Sequence, residues 1–272
     1  MTKVKELGTY IIKGGEQGQA RLAVISRVLA PATKALFDRF EPLAGLSVVD
    51  AGCGGGDLSF ELAERVGASG HVVGFDLDET KLALAREEAT RRGLANVAFR
   101  TASVLDPWPV SEAAMVNVRF VLTHLPRPED TLARAWDALA PGGLLVVEDI
   151  DYAGKFCHPP NQAFERHTEL YITAAQKRGV DPFIGRRLVR LLEGAGFANV
   201  DTSLVQPFGR SGEVKQVASL TFAAIADGLV TQGIASADEV ARVASGLAAF
   251  AAEPDAVMSL PRIFQAWGWK PR

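Results

Sequence analysis

Four scarcities bound what this chain of 272 residues can be. It has only two cysteines, Cys53 and Cys157, too few for a disulfide framework or a cysteine-based zinc site. A reducing, cytoplasmic setting is therefore expected. It has no run of about 18 apolar residues, so no membrane span is expected. The first ten residues, MTKVKELGTY, lack the apolar segment of a secretion signal. It has no excess of positive charge: the formal net charge is −3, which gives no electrostatic case for a nucleic-acid partner. It does have apolar side chains, 48% of the residues, enough for one elaborated domain with a sizeable core.

The stretch VVDAGCGGGDL, residues 48–58, organises the rest. A short apolar run ends in Asp50. A turn follows with Gly52, Gly54, Gly55 and Gly56, and then a helical pattern carries Leu58, Leu62 and Val66. Strand, glycine turn and helix form the opening unit of a nucleotide-binding α/β fold. Glycine lets the backbone turn sharply and approach a ligand, and the amides at the start of the helix are available to donate.

Downstream, apolar runs at 71–75, 96–100, 114–118 and 144–150 alternate with helical patterns at 80–92 and 129–140. Runs without strict alternation indicate strands buried on both faces of a parallel sheet. Upstream, residues 1–42 read as an N-terminal helical arm, with Pro31 interrupting it and a second helix carrying Ala35, Leu36 and Phe40 and ending near Pro42. Beyond residue 151 come a loop at 152–160, helices at 161–177 and 184–195, and a strand at 200–205. Two alanine-rich helices at 213–230 and 237–252 then precede a last strand at 263–269. The expected division is arm 1–42, core 43–206 with a cap segment at 152–185, helical insertion 207–258 and last core strand 259–272.

In an open parallel sheet, ligands bind beyond the carboxyl ends of the strands. Four such ends fall in order: Asp50 with the glycine turn; Asp76, followed by Leu77; Ala102, Ser103 and Val104; and Asn117, Val118 and Arg119. An acid after the second strand is placed to accept hydrogen bonds from two ribose hydroxyls. A dinucleotide-type G-x-G-x-x-G register would need glycine at position 57, where this chain has Asp57.

VVDAGCGGGDL resembles motif I of class I S-adenosylmethionine-dependent methyltransferases. VVGFDLDETKLALAR resembles their next motif, with Asp76 as the ribose acid, and RFVLTHLPRPEDTLARAWDALAPGGLLVVEDID the region that closes the core. TYIIKGGEQGQARL resembles the N-terminal arm of bacterial small-molecule methyltransferases, matched at Tyr10, Glu16, Arg21 and Leu22. The resemblance covers roughly residues 10–200. It implies a doubly wound, Rossmann-like, seven-stranded and mostly parallel α/β sheet with an added helical cap. It also implies S-adenosyl-L-methionine as cofactor, S-adenosyl-L-homocysteine as product, and Tyr10 and Arg21 near the methionine end. The chain departs from the family at Ser103, where an acid often binds adenine and Asp106 offers a substitute, and at Met115-Val116, where Phe-Asp is frequent.

The resulting reading is methyl transfer to oxygen, nitrogen or carbon of a small-molecule acceptor, with a homodimer left open. The alternatives are a non-catalytic S-adenosylmethionine-binding protein and, against Asp57, an NAD-dependent dehydrogenase. Cys53 reads as a small residue beside the cofactor, since no histidine partner is evident. Asp50 either holds the turn or touches ligand; Arg119 is either solvated or a cofactor contact. His124 reads as a structural histidine or as a base for the acceptor. Glu148, Asp149 and Asp151 read as capping, solvent-exposed acids, not metal ligands. Tyr152, Phe156, Phe164, Tyr171, Phe183, Phe208 and Phe222 fall in the cap and read as core, with a substrate pocket as the other option.

Overall fold

The glycine turn sits at the middle of a seven-stranded sheet. The structure is a computed structural model that describes residues 15–272, with side chains from residue 18 onward. Its strands are β1 (Ser47–Ala51), β2 (His71–Asp76), β3 (Val97–Thr101), β4 (Ala113–Arg119), β5 (Leu139–Asp151), β6 (Cys157–His158), β7 (Ala198–Val205), β8 (Phe208–Gly209), β9 (Val257–Ser259) and β10 (Arg262–Trp269). The helices are α1 (Gly15–Phe37), α2 (Asp57–Val66), α3 (Glu79–Arg92), α4 (Pro128–Ala138), α5 (Gln162–Lys177), α6 (Leu188–Gly194), α7 (Val217–Thr231) and α8 (Ala237–Ala252). The main sheet runs β3-β2-β1-β4-β5-β10-β7. The first five are parallel neighbours, and β10 is antiparallel to both β5 and β7. The order reverses between β1 and β4, which opens a crevice at their carboxyl ends.

Local chemistry explains the elements. Val48 and Val49 point to opposite faces of β1 and both are buried, as a strand covered on each side requires. Leu58, Leu62 and Val66 form the buried stripe of α2 against Val48, Val72 and Met115. Asp78 caps α3 by accepting from Lys81 N at 3.2 Å, and Gly93 ends it in the left-handed region. Asn161 and Ser236 cap α5 and α8 in the same way. The cap helices α5, α7 and α8 share their own apolar cluster, centred on Phe164, Tyr171, Phe222, Leu247 and Phe250. No helix among the described residues is long and apolar enough to cross a membrane.

Three expectations are corrected. The helix α1 runs through Pro31 instead of breaking there, and a 3-10 turn at Asp38–Phe40 replaces the second helix. Proline removes one helix hydrogen bond. Leu29, Leu36 and Phe37, each at most 1% exposed, bury the same face on either side of it, and fully burying each such side chain is worth about 1.5–3 kcal/mol. Residues 152–160 are not only loop: β6 joins β9 and β8 in a small antiparallel sheet. Glu148, Asp149 and Asp151 are buried, not solvent-exposed. The strand β5 lies between β4 and β10, so its end is covered. Gln265 donates to Glu148 at 2.8 Å, the backbone of Thr123 and Ile150 donates to Asp149, and Arg186 and Arg262 pair with Asp151.

Candidate active site

The glycine turn is locked from three directions. Gly52, Gly54 and Gly56 all have positive φ. The amides of Gly52 and Cys53 donate to the carbonyl of Phe75 at 2.8 and 3.0 Å, which pins the turn to the end of β2. Asp76 spans the gap: one carboxylate oxygen accepts from Gly54 N at 3.0 Å, the other from Asp78 N at 3.0 Å. Beneath the turn, Asp50 accepts from Ser59 Oγ at 2.6 Å and from Asn117 Nδ2 at 3.0 Å. Burial raises the pKa of Asp50, and these two hydrogen bonds oppose the rise.

A cavity of about 670 Å³ opens above this turn. Its floor is Asp50, Gly52, Cys53 and Gly54, and Asp76 and Leu77 form one rim. Helix α1 supplies Arg21, Leu22 and Ile25; the end of β4 supplies Arg119, Phe120 and Val121; His124 follows. Lys81 and Arg178 add positive charge, and Asp57 and Asp227 negative charge. The size is that of a small-molecule site, about 300–1,000 Å³. Arg21 is held against α7 by donating to Thr221 Oγ1 at 3.2 Å. Burial and the neighbouring cations push the His124 pKa down to about 3, so its imidazole is neutral. Burial pushes the Cys53 thiol well above its ordinary value, so it stays protonated and is a poor nucleophile.

A second cavity, about 110 Å³, shares Arg21, Leu22, Ile25, Phe120 and His124 with the first as a common wall. The rest of its lining includes Ile150, Tyr152, Lys155, Tyr171, Val217 and Leu260.

The residues singled out in the sequence are thus divided. Arg21, Asp50, Gly52, Cys53, Gly54, Asp76, Leu77, Arg119 and His124 come together around the large cavity. Asn117 lies fully buried beneath it as a partner of Asp50, and Val118 packs in the sheet core. Ala102 and Val104 also pack against the core, and Ser103 Oγ accepts from Leu105 N at 3.1 Å; none of the three lines the cavity. Tyr10 lies outside the described residues, as does the side chain of Glu16. Sequence reasoning missed Phe120, Val121, Lys81 and Arg178, and the wall from α7: Ala224, Asp227 and Gly228. No sequence signal marks those α7 residues, because their role depends on how the insertion folds back.

A β3-β2-β1-β4-β5-β10-β7 sheet with a glycine turn after β1, an acid at the end of β2 and helices packed along the crevice is the methyltransferase-type Rossmann-like fold. The family described as "Methyltransferase domain" matches residues 43–191. The chain belongs to that family, and its cofactor is S-adenosyl-L-methionine. Aklanonic acid methyltransferase DauC of Streptomyces sp. (strain C5) is 34% identical over 185 residues, covering 64% of this chain and 84% of that protein. Demethylmenaquinone methyltransferase of Lactococcus lactis is 29% identical over 156 residues, 57% of this chain and 58% of that protein. A solved structure of a putative methyltransferase from Bacillus halodurans superposes with TM-score 0.57 at 18% identity, covering 88% of this chain and 98% of that one, and shares the fold.

Proposed function

We propose that the chain methylates a small, largely apolar acceptor that binds in the second cavity. The observation that carries this reading is the common wall: the second cavity meets the first at five shared residues. A methyl donor in one and an acceptor in the other would face each other there. The relatives are likewise named for small-molecule acceptors, aklanonic acid and demethylmenaquinone.

The large cavity fits the cofactor by its own chemistry. A Cβ at Gly52 would lie 2.5 Å from Val121, and one at Gly54 3.0 Å from Leu22, so only glycine leaves the floor open. Asp76 and Leu77 would take the ribose and adenine end, and Arg21, with Tyr10 by resemblance, the methionine end. When bound, the cofactor supplies a methyl group already activated on a sulfonium. The chain's own residues then have to bind the acceptor in line and exclude water. Phe120, Ile25 and Leu22 give the apolar surround for that. His124, neutral at working pH, is suited to hold an acceptor hydrogen bond and is a weak proton sink.

The test is direct. Purified protein is given methyl-labelled S-adenosylmethionine with a panel of phenols, quinols, carboxylic acids and amines. The proposal expects labelled, solvent-extractable product. Cofactor binding with label passed only to protein or nucleic acid would contradict it.

A further inference from the structure

Along the second cavity, three side chains form a hydrogen-bonded chain. Tyr152 Oη lies 3.0 Å from His167 Nε2, and His167 Nδ1 lies 3.1 Å from Lys155 Nζ. Tyr152 and Lys155 line the cavity; His167, fully buried on α5, joins them. The geometry is held firmly. Asp151, anchored by Arg186 and Arg262, caps the turn that carries Tyr152 by accepting from Ala153 N. Tyr152 stacks on Tyr171 at 3.8 Å, and Lys155 Nζ sits 4.7 Å above the Tyr152 ring and 4.6 Å from that of Phe164.

We propose that Tyr152, His167 and Lys155 are a proton relay that ionises a phenol or enol hydroxyl of the acceptor in the second cavity. This rests on the methyltransferase reading and names its substrate class. At the start Tyr152 donates to His167 Nε2, and His167 Nδ1–H donates to a neutral Lys155 amine. The acceptor O–H breaks as its proton joins Tyr152 Oη. The Tyr152 proton passes to His167 Nε2, and the Nδ1 proton passes to Lys155. The result is an acceptor oxyanion, neutral tyrosine and histidine, and a lysine ammonium. Lys155 is half-buried as a residue, and its extra proton returns to solvent when the product leaves and the cavity opens.

Two observations support the assignment. No carboxylate lines this cavity among the described residues, while Arg21 and Lys155 both do, so the lining suits a developing oxyanion and disfavours a protonated amine. Burial lowers Lys155 to about 7, where an amine is available as a proton sink at neutral pH. The ionisable groups around it are Tyr152 on its own turn, His167 and Tyr171 on α5, Cys157 in the small sheet, and Arg21 of α1. Burial also drives His167 well below its ordinary value, so it conducts a proton without retaining one.

The probe is 4-nitrophenol, titrated at pH 8 into protein saturated with S-adenosylhomocysteine. Absorbance reports whether the bound phenol is ionised, and calorimetry in two buffers of different ionisation enthalpy counts protons. The wild type should bind phenolate and take up about one proton, the one gained by Lys155. Lys155→Met should bind phenolate more weakly with no proton uptake, and Tyr152→Phe should lose the ionised form. Three results would each overturn the relay: no saturable binding, binding as the neutral phenol, or equal proton uptake in Lys155→Met. Calorimetry of S-adenosylhomocysteine on the same samples separates the two readings, since its failure to bind would sink the cofactor assignment itself.

Discussion

Gly52→Ala is the sharpest probe of the turn. Gly52 has φ +72°, and a Cβ there would lie 2.5 Å from Val121 Cγ2, far inside van der Waals contact. Two costs combine. A left-handed backbone costs a non-glycine residue about 1–2 kcal/mol. Forcing a methyl into a packed site costs about 1–3 kcal/mol more. The sum, about 2–5 kcal/mol, is a large part of the ~5–15 kcal/mol that typically separates folded from unfolded chains. Gly93→Ala is the control: φ is +69°, but nothing lies within 4 Å of the added carbon, so only the first cost applies. Val121→Ala alone removes two methyl groups from a 4% exposed side chain, about 1.6 kcal/mol of burial before any cavity cost. Combined with Gly52→Ala it should recover most of the steric cost, a coupling of about 1–3 kcal/mol. Urea unfolding of the four variants at constant m gives these numbers. A Gly52→Ala variant no less stable than Gly93→Ala, or costs of Gly52→Ala and Val121→Ala that simply add, would refute the predicted clash with Val121.

Two further outcomes follow from the buried ionisable groups. Burial raises the Asp149 carboxyl from 3.8 to about 7, so the folded chain keeps a proton that the unfolded chain has released. That contribution to stability is present below about pH 4 and is lost as pH rises toward 7, by up to about 4 kcal/mol. Asp149→Asn removes the titration, so the variant should gain on the wild type steadily between these limits; a constant difference in urea midpoint would count against the raised pKa. His124→Ala should lower turnover and leave S-adenosylhomocysteine affinity unchanged. Because His124 titrates near 3, the shape of the pH–rate profile around neutrality should also survive. A vanished acidic limb would make His124 the titrating base after all.

Much of the fold was legible because its signals are local. Apolar runs such as 71–75, the Asp78 cap and the Gly93 stop act within a few residues, and the structure places β2 and α3 within a residue or so of the expected limits. What failed depended on tertiary contact. Pro31 sits in a continuous helix because buried neighbours on both sides outweigh one missing hydrogen bond. Glu148, Asp149 and Asp151 read as solvent-exposed acids, yet β10 covers β5, with Gln265 on Glu148 and Arg262 on Asp151, and the backbone of Thr123 and Ile150 holds Asp149. At the candidate site, the glycine turn and Asp76 at the end of β2 were legible as positions from local spacing, and the structure places them on the cavity lining. Asn117 was readable as a position but not as the buried partner of Asp50. Lys155 and His167 carried no pattern; their link exists only because α5 folds back over the turn at Tyr152.

The central claim is that the crevice above Gly52–Gly54 is an S-adenosylmethionine site closed by Asp76. Calorimetry with S-adenosylhomocysteine and with NAD, on wild type and Asp76→Ala, tests it most directly. The wild type should bind S-adenosylhomocysteine and not NAD. Asp76→Ala should lose a charge-assisted contact of about 1.5–3 kcal/mol, roughly 10- to 150-fold in affinity. Undiminished affinity in Asp76→Ala, or NAD bound in preference by the wild type, would contradict the account.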